Sequence, residues 1–120
     1  MKTVKKALCT LIVLMSVSCV QKAYKRTVVF ELDTKGITNV KKVGIRGENS
    51  PLSWDKDYLM VLDVKDSLYK ATITEETGYL FEQFKFVVND EFELKEQDNR
   101  KIYFENKDTV VYKAVFNEHQ

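Results

Sequence analysis

The sequence predicts an all-β fold, an antiparallel β-sandwich of seven to eight strands. Three observations carry this. Apolar residues recur with period two in short rows, which places alternate side chains on one sheet face. The rows are rich in Val, Ile, Phe, Tyr and Thr, residues that suit a pleated, half-buried surface. Turn-forming clusters separate them at short intervals, and no amphipathic helix of ordinary length interrupts the series. Short strands at this spacing are the pattern of an immunoglobulin-like sandwich.

The rows follow one another along the chain. Val28, Phe30 and Leu32 alternate with Val29, Glu31 and Asp33. Val43 and Ile45 alternate with Gly44 and Arg46. Met60, Leu62 and Val64 form a third row, and Tyr69, Ala71 and Ile73 a fourth. Phe84, Phe86 and Val88 alternate with Lys85 and Val87. Phe92 and Leu94 follow, then Ile102 and Phe104, then Val110, Tyr112, Ala114 and Phe116. The expected turns are residues 33–36, 47–51, 63–67, 75–78 and 89–90, where Gly, Pro, Asn, Asp and Ser gather.

The first 18 residues read differently. A basic head with Lys2, Lys5 and Lys6 precedes an uncharged apolar run over residues 7–17. Ser16, Val17 and Ser18 then supply small or short side chains before Cys19. Basic head, apolar run and small cleavage site make a secretory signal. A run of 11 residues falls short of the roughly 20 that a spanning helix needs. The segment resembles a bacterial lipoprotein signal, whose conserved box ends in Cys. Ser16 stands where Leu is usual in that box. The resemblance implies cleavage before Cys19 and lipid attachment to it, hence a bacterial envelope location, periplasmic or outer-membrane. The expected organisation is a signal at 1–18, a lipidated tether at 19–26 and a sandwich at 27–117. Cys9 lies in the segment to be removed, which leaves Cys19 no partner for a disulfide.

Charge and composition narrow the function. Removal of residues 1–18 takes away three lysines and no acid, so 16 Lys/Arg face 18 Asp/Glu in the remainder. That balance lacks the basic stripe of a nucleic-acid binder. The sole His is His119, the penultimate residue, and no Ser has a His near it in sequence. No His/Cys cluster suggests zinc, and Asp55 with Asp57 lacks the surrounding calcium-loop spacing. The expectation is a non-enzyme without metal or cofactor, although paired carboxylates brought together by folding stay open as an alternative.

A family resemblance emerges from residues 43–100. Val43-Gly44-Ile45-Arg46-Gly47 is followed by Pro51-Leu52-Ser53-Trp54-Asp55, then Leu62, then Leu68-Tyr69-Lys70-Ala71-Thr72-Ile73. Phe84-Lys85-Phe86-Val87-Val88-Asn89 and Asp98-Asn99-Arg100 complete the order. This resembles the starch-binding modules of carbohydrate-binding families 20 and 48, over residues 28–116. The resemblance implies a binding site for α-glucan (starch- or glycogen-like) or a related polysaccharide or oligosaccharide. In such a site a flat ring covers the apolar face of a sugar while polar side chains bond its edge.

Trp54 matches the family's stacking Trp and Lys85 the Lys that serves the same site. On the residues alone, Trp54 either stands on a turn-rich loop or caps the core, and Lys85 is either a ligand or an ordinary solvent-facing strand residue. The sequence departs from the family at Leu94, where a second Trp is usual, with Phe92 the nearest aromatic. Tyr69 stands where another site has a Trp, or else belongs to the core. Asn99 and Arg100 are expected to brace the last turn. The competing expectation is a protein-interaction or assembly subunit of the envelope, with Tyr24, Tyr58, Tyr79, Phe81 and Tyr103 as contact aromatics.

Overall fold

The computed structural model describes residues 22–119. The expected signal segment and Cys19 lie outside them. Nine strands occur among the described residues, with no helix. They are β1 (Tyr24–Asp33), β2 (Val43–Gly47), β3 (Tyr58–Leu59), β4 (Val61–Asp63), β5 (Leu68–Thr77), β6 (Phe81–Val88), β7 (Glu91–Phe92), β8 (Arg100–Tyr103) and β9 (Thr109–Val115). One sheet has the order β4-β5-β1-β9; the other runs β3-β2-β6-β7, with β8 also paired to β6. Pairing is antiparallel except between β1 and β9, which run parallel. The fold is a β-sandwich, as the periodicity predicts.

The strongest rows build the core. Val28, Phe30 and Leu32 of β1 face Ile45 of β2 and Phe84 and Phe86 of β6, all essentially sealed from solvent. Phe30 and Phe84 meet edge to face with ring centres 5.2 Å apart, and Phe84 meets Tyr112 the same way at 5.0 Å. Edge-to-face contact sets the positive rim of one ring against the negative face of the other, which adds about 0.5–1.5 kcal/mol per pair to area burial. Four rings thereby fill the space between two short sheets.

Some expectations are corrected. The row Met60, Leu62, Val64 is not one strand. The chain leaves one sheet after β3 and enters the other at β4, with buried Met60 at the crossing and its backbone N–H donating to Val43 O at 2.9 Å. Leu62 and Val64 consequently remain exposed. The nine strands exceed the expected seven to eight because this row divides between the two sheets. Residues 75–77 are not a turn, because β5 continues to Thr77, opposite Tyr24. Residues 24–26 of the expected tether are the start of β1, and Arg26 is buried there. Leu94 is buried but off-strand, with a left-handed φ of 52°.

Candidate functional site

The outer face of the second sheet gathers the chemistry. Arg46 of β2 and Lys85 of β6 are cross-strand partners, and Phe92 of β7 is opposite Val87 of β6. Even-odd alternation turns these away from the core that Ile45, Phe84 and Phe86 fill. The loop from β2 to β3 brings Trp54 over them. Leu52 pins this loop by inserting into the core, and Ser53 Oγ accepts the N–H of Asp55 at 3.1 Å to close the turn around Trp54.

Arg46 organises the patch. Its Nε donates to Asp57 Oδ1 at 2.6 Å and its Nη1 to the Trp54 carbonyl at 3.2 Å. Its guanidinium also lies 5.1 Å from the centre of the Phe92 ring, within cation–π range. The Trp54 and Phe92 rings are 6.5 Å apart at 46°. They make two adjoining, tilted surfaces, and Trp54 is 36% exposed. Asp57 can approach because Gly44 has no side chain: a Cβ there would sit 2.8 Å from Asp57 Cβ. Lys42 supports the same carboxylate at 3.4 Å while pairing with Asp90 at 2.6 Å. The hydrogen bond that Lys42 donates to Asp90 is the main reason its ammonium holds its proton above the usual lysine range, against a smaller opposing effect of desolvation.

Lys85 is beside the patch but is committed to the protein. Its Nζ donates to Leu94 O at 2.9 Å and Gln97 O at 3.1 Å, which ties down the loop between β7 and β8. Its place is therefore one of positioning. Phe92, expected in the site as the aromatic nearest the missing second Trp, is the ring beside Trp54. A depression of about 280 Å³ borders it, lined by Glu91, Phe92, Lys95, Gln97, Phe116 and Asn117. Tyr69 does not join them. It belongs to the first sheet, opposite buried Leu32, and packs against the core. Leu94 is fully buried and offers no stacking face. Arg46 and Asp57 were not singled out by sequence reasoning. The signal for Arg46 was its parity with Gly44, which puts it on the outward face.

Two further polar clusters lie inside the sandwich. Glu93 and Arg100 form a sealed ion pair, Nε to Oε2 at 2.7 Å and Nη2 to Oε1 at 2.8 Å. Arg100 Nη2 also donates to the carbonyls of Val115 and Glu118, while Glu93 accepts the N–H groups of Phe86 and Asn117. Arg100 thus braces the last turn, at residues 115–118, as expected, whereas Asn99 does not join it and instead donates to Gln83 Oε1 at 3.4 Å. At the other end of the sandwich, Glu75 of β5 meets buried Glu82 of β6. Burial and then the Glu82 carboxyl raise the Glu75 pKa to about 9. Among the described residues no group of His, Cys, Asp and Glu could hold a metal ion.

No known family model matches the chain, and no curated protein matches it.

Proposed function

We propose that this chain is a non-catalytic, lipid-anchored protein of the bacterial envelope that binds α-glucan or a related glycan. The observation that carries the reading is Trp54, partly exposed next to Phe92 and held from behind by Arg46. A platform fixed before binding loses little freedom when a sugar stacks on it, which is the main gain from preorganisation. The lipid anchor rests on the resemblance of residues 1–19 to a lipoprotein signal. Two acyl chains hold a protein stably at a membrane, where one does not.

Affinity is expected to be weak, at about 10⁻³ to 10⁻⁵ M, or roughly 4–7 kcal/mol. Electrophoresis through gels containing glycogen or starch tests this directly. The wild type should be retarded, Trp54→Ala should migrate as in a plain gel, and Phe92→Ala should fall between. A wild type that is not retarded refutes the glucan reading. The buried Leu94 at the position of a second family Trp favours one alternative, an assembly subunit that has lost sugar affinity. A stoichiometric protein partner recovered from solubilised envelopes, with no glycan retention, would select that reading.

A further inference from the structure

The end of the sandwich where β1 begins carries an exposed aromatic cluster that the glycan platform does not use. Tyr79 is 63% exposed, Leu80 79% and Tyr103 56%, with Tyr24 and Phe81 also exposed beside them. They are continuous in space. Phe81 and Tyr103 are opposite each other on β6 and β8, their rings 5.6 Å apart. Tyr79, Leu80 and Tyr103 rim a depression of about 210 Å³ floored by Arg26 and Phe104. The Arg26 guanidinium lies 4.9 Å from the Tyr24 ring and the Lys22 ammonium 5.4 Å. Lys101 is 5.7 Å from the Phe81 ring.

We infer that this end is a membrane-docking face, and that its occupant is the lipid surface to which Cys19 is attached. The inference rests on the lipid-anchor part of the proposed function. Cys19 is five residues before Tyr24. Fully extended, that stretch spans at most about 18 Å, so a lipidated Cys19 keeps this end within that reach of the bilayer. The composition of the face suits the contact. Tyrosine rings with an apolar body and polar tip settle at the headgroup level, and the ammonium groups of Lys22, Lys25 and Lys101 meet phosphates. Acids also border the face: Glu105 lines the depression and pairs with Lys107 at 3.8 Å, Asp108 pairs with Arg26 at 3.8 Å, and Glu76 is opposite Lys25 in the register of β1 and β5. An exposed Leu80 in the loop before β6 gains from entering the acyl boundary, because its apolar surface then leaves water.

The test uses the full chain, purified from membranes after growth with a clickable palmitate and returned to vesicles of phosphatidylcholine with phosphatidylglycerol. A single reporter cysteine carrying a polarity-sensitive dye replaces Tyr103 or, as control, Val64. Val64 is exposed in the turn before β5, at the far end of the sandwich. Spin-labelled lipids should quench the dye at position 103 and leave that at position 64 unaffected. Tyr79→Ser with Leu80→Ser, both at exposed positions, should reduce the quenching at 103 to the level at 64. Equal, weak quenching at both positions overturns the docking face while leaving the anchor intact. Quenching at 103 that occurs in native envelopes but not in pure lipid vesicles overturns it in favour of a protein partner. Absence of palmitate on Cys19 refutes the lipoprotein reading and this inference with it, but leaves glycan retardation unaffected.

Discussion

Replacement of Glu93 by Ala is expected to be the most damaging single change to a polar residue. Both members of the Glu93–Arg100 pair are sealed, with side chains 0% and 1% exposed. The carboxylate accepts two N–H bonds from Arg100 and one each from the backbone of Phe86 and Asn117. Truncation removes the carboxylate partner of a buried guanidinium, which keeps the carbonyls of Val115 and Glu118, and it strands two backbone donors. Breaking a buried pair by removing one partner costs about 3–5 kcal/mol. A domain of this size has a total stability of only about 5–15 kcal/mol. Tm should therefore fall by roughly 12–40 °C, at about 4–8 °C per kcal/mol. Thermal denaturation followed by near-ultraviolet circular dichroism gives the number. The double variant Glu93→Leu with Arg100→Met provides the control, because an apolar pair of similar volume removes both charges together. It should be more stable than Glu93→Ala. If Glu93→Ala loses less than about 1 kcal/mol, the value of an exposed pair, the pair does not act as described.

Two further outcomes follow from the other clusters. The raised Glu75 pKa means that, between about 4.5 and 9, the folded protein holds a proton that the unfolded chain has released. Stability from this group is complete below pH 4.5 and is lost as pH rises through 9. For a partly solvated carboxyl the loss is discounted to about 1–3 kcal/mol. Glu75→Gln should flatten the decline of Tm between pH 5 and 9, and an unchanged slope would refute the raised Glu75 pKa. Arg46→Met removes the bonds to Asp57 and the Trp54 carbonyl, at a cost of about 1–3 kcal/mol. It should also red-shift the emission of Trp54, the sole Trp, and weaken glycan retardation. Unaltered emission and retardation would show that Arg46 does not hold the platform.

What the sequence disclosed depended on how local the governing interaction was. The rows Val28, Phe30, Leu32 and Phe84, Phe86, Val88 were legible because period two alone sets which face is apolar. The exchange of sheets at Met60 was not, since Leu62 and Val64 continue the same period on the far side of the crossing. Tyr69 matched a binding position in order along the chain, yet its parity with Ala71 and Ile73 put it on the core side. The parallel pairing of β1 with β9 joins residues far apart in sequence, such as Thr27 and Thr109, and leaves no local trace. Arg100 was legible as a brace of the last turn, but its partner Glu93 and the sealing of the pair were hidden, because charged residues are rarely sealed unless paired and the pair forms only in the fold.

The two faces also bear on each other. Phe81 and Val87 lie six residues apart on β6, about 20 Å along an extended strand. Phe92 is opposite Val87, and Trp54 is beside Phe92. With the Tyr79–Leu80 end on the lipid, the strands would stand away from the bilayer and the platform would look sideways about 20 Å above it. A freely swinging tether would present the platform in every direction, including toward the membrane. A docked end removes that freedom before any glycan arrives. Many copies held in one plane with the same outward tilt can engage a single long polysaccharide together. The second and later contacts are then intramolecular, with an effective concentration set by spacing on the membrane. A weak one-ring-pair site can thereby retain a polymer that it could not hold alone. The docking variant Tyr79→Ser with Leu80→Ser, which leaves Trp54 untouched, should thus lower retention of long glucan by membranes more than it lowers binding of a short oligosaccharide.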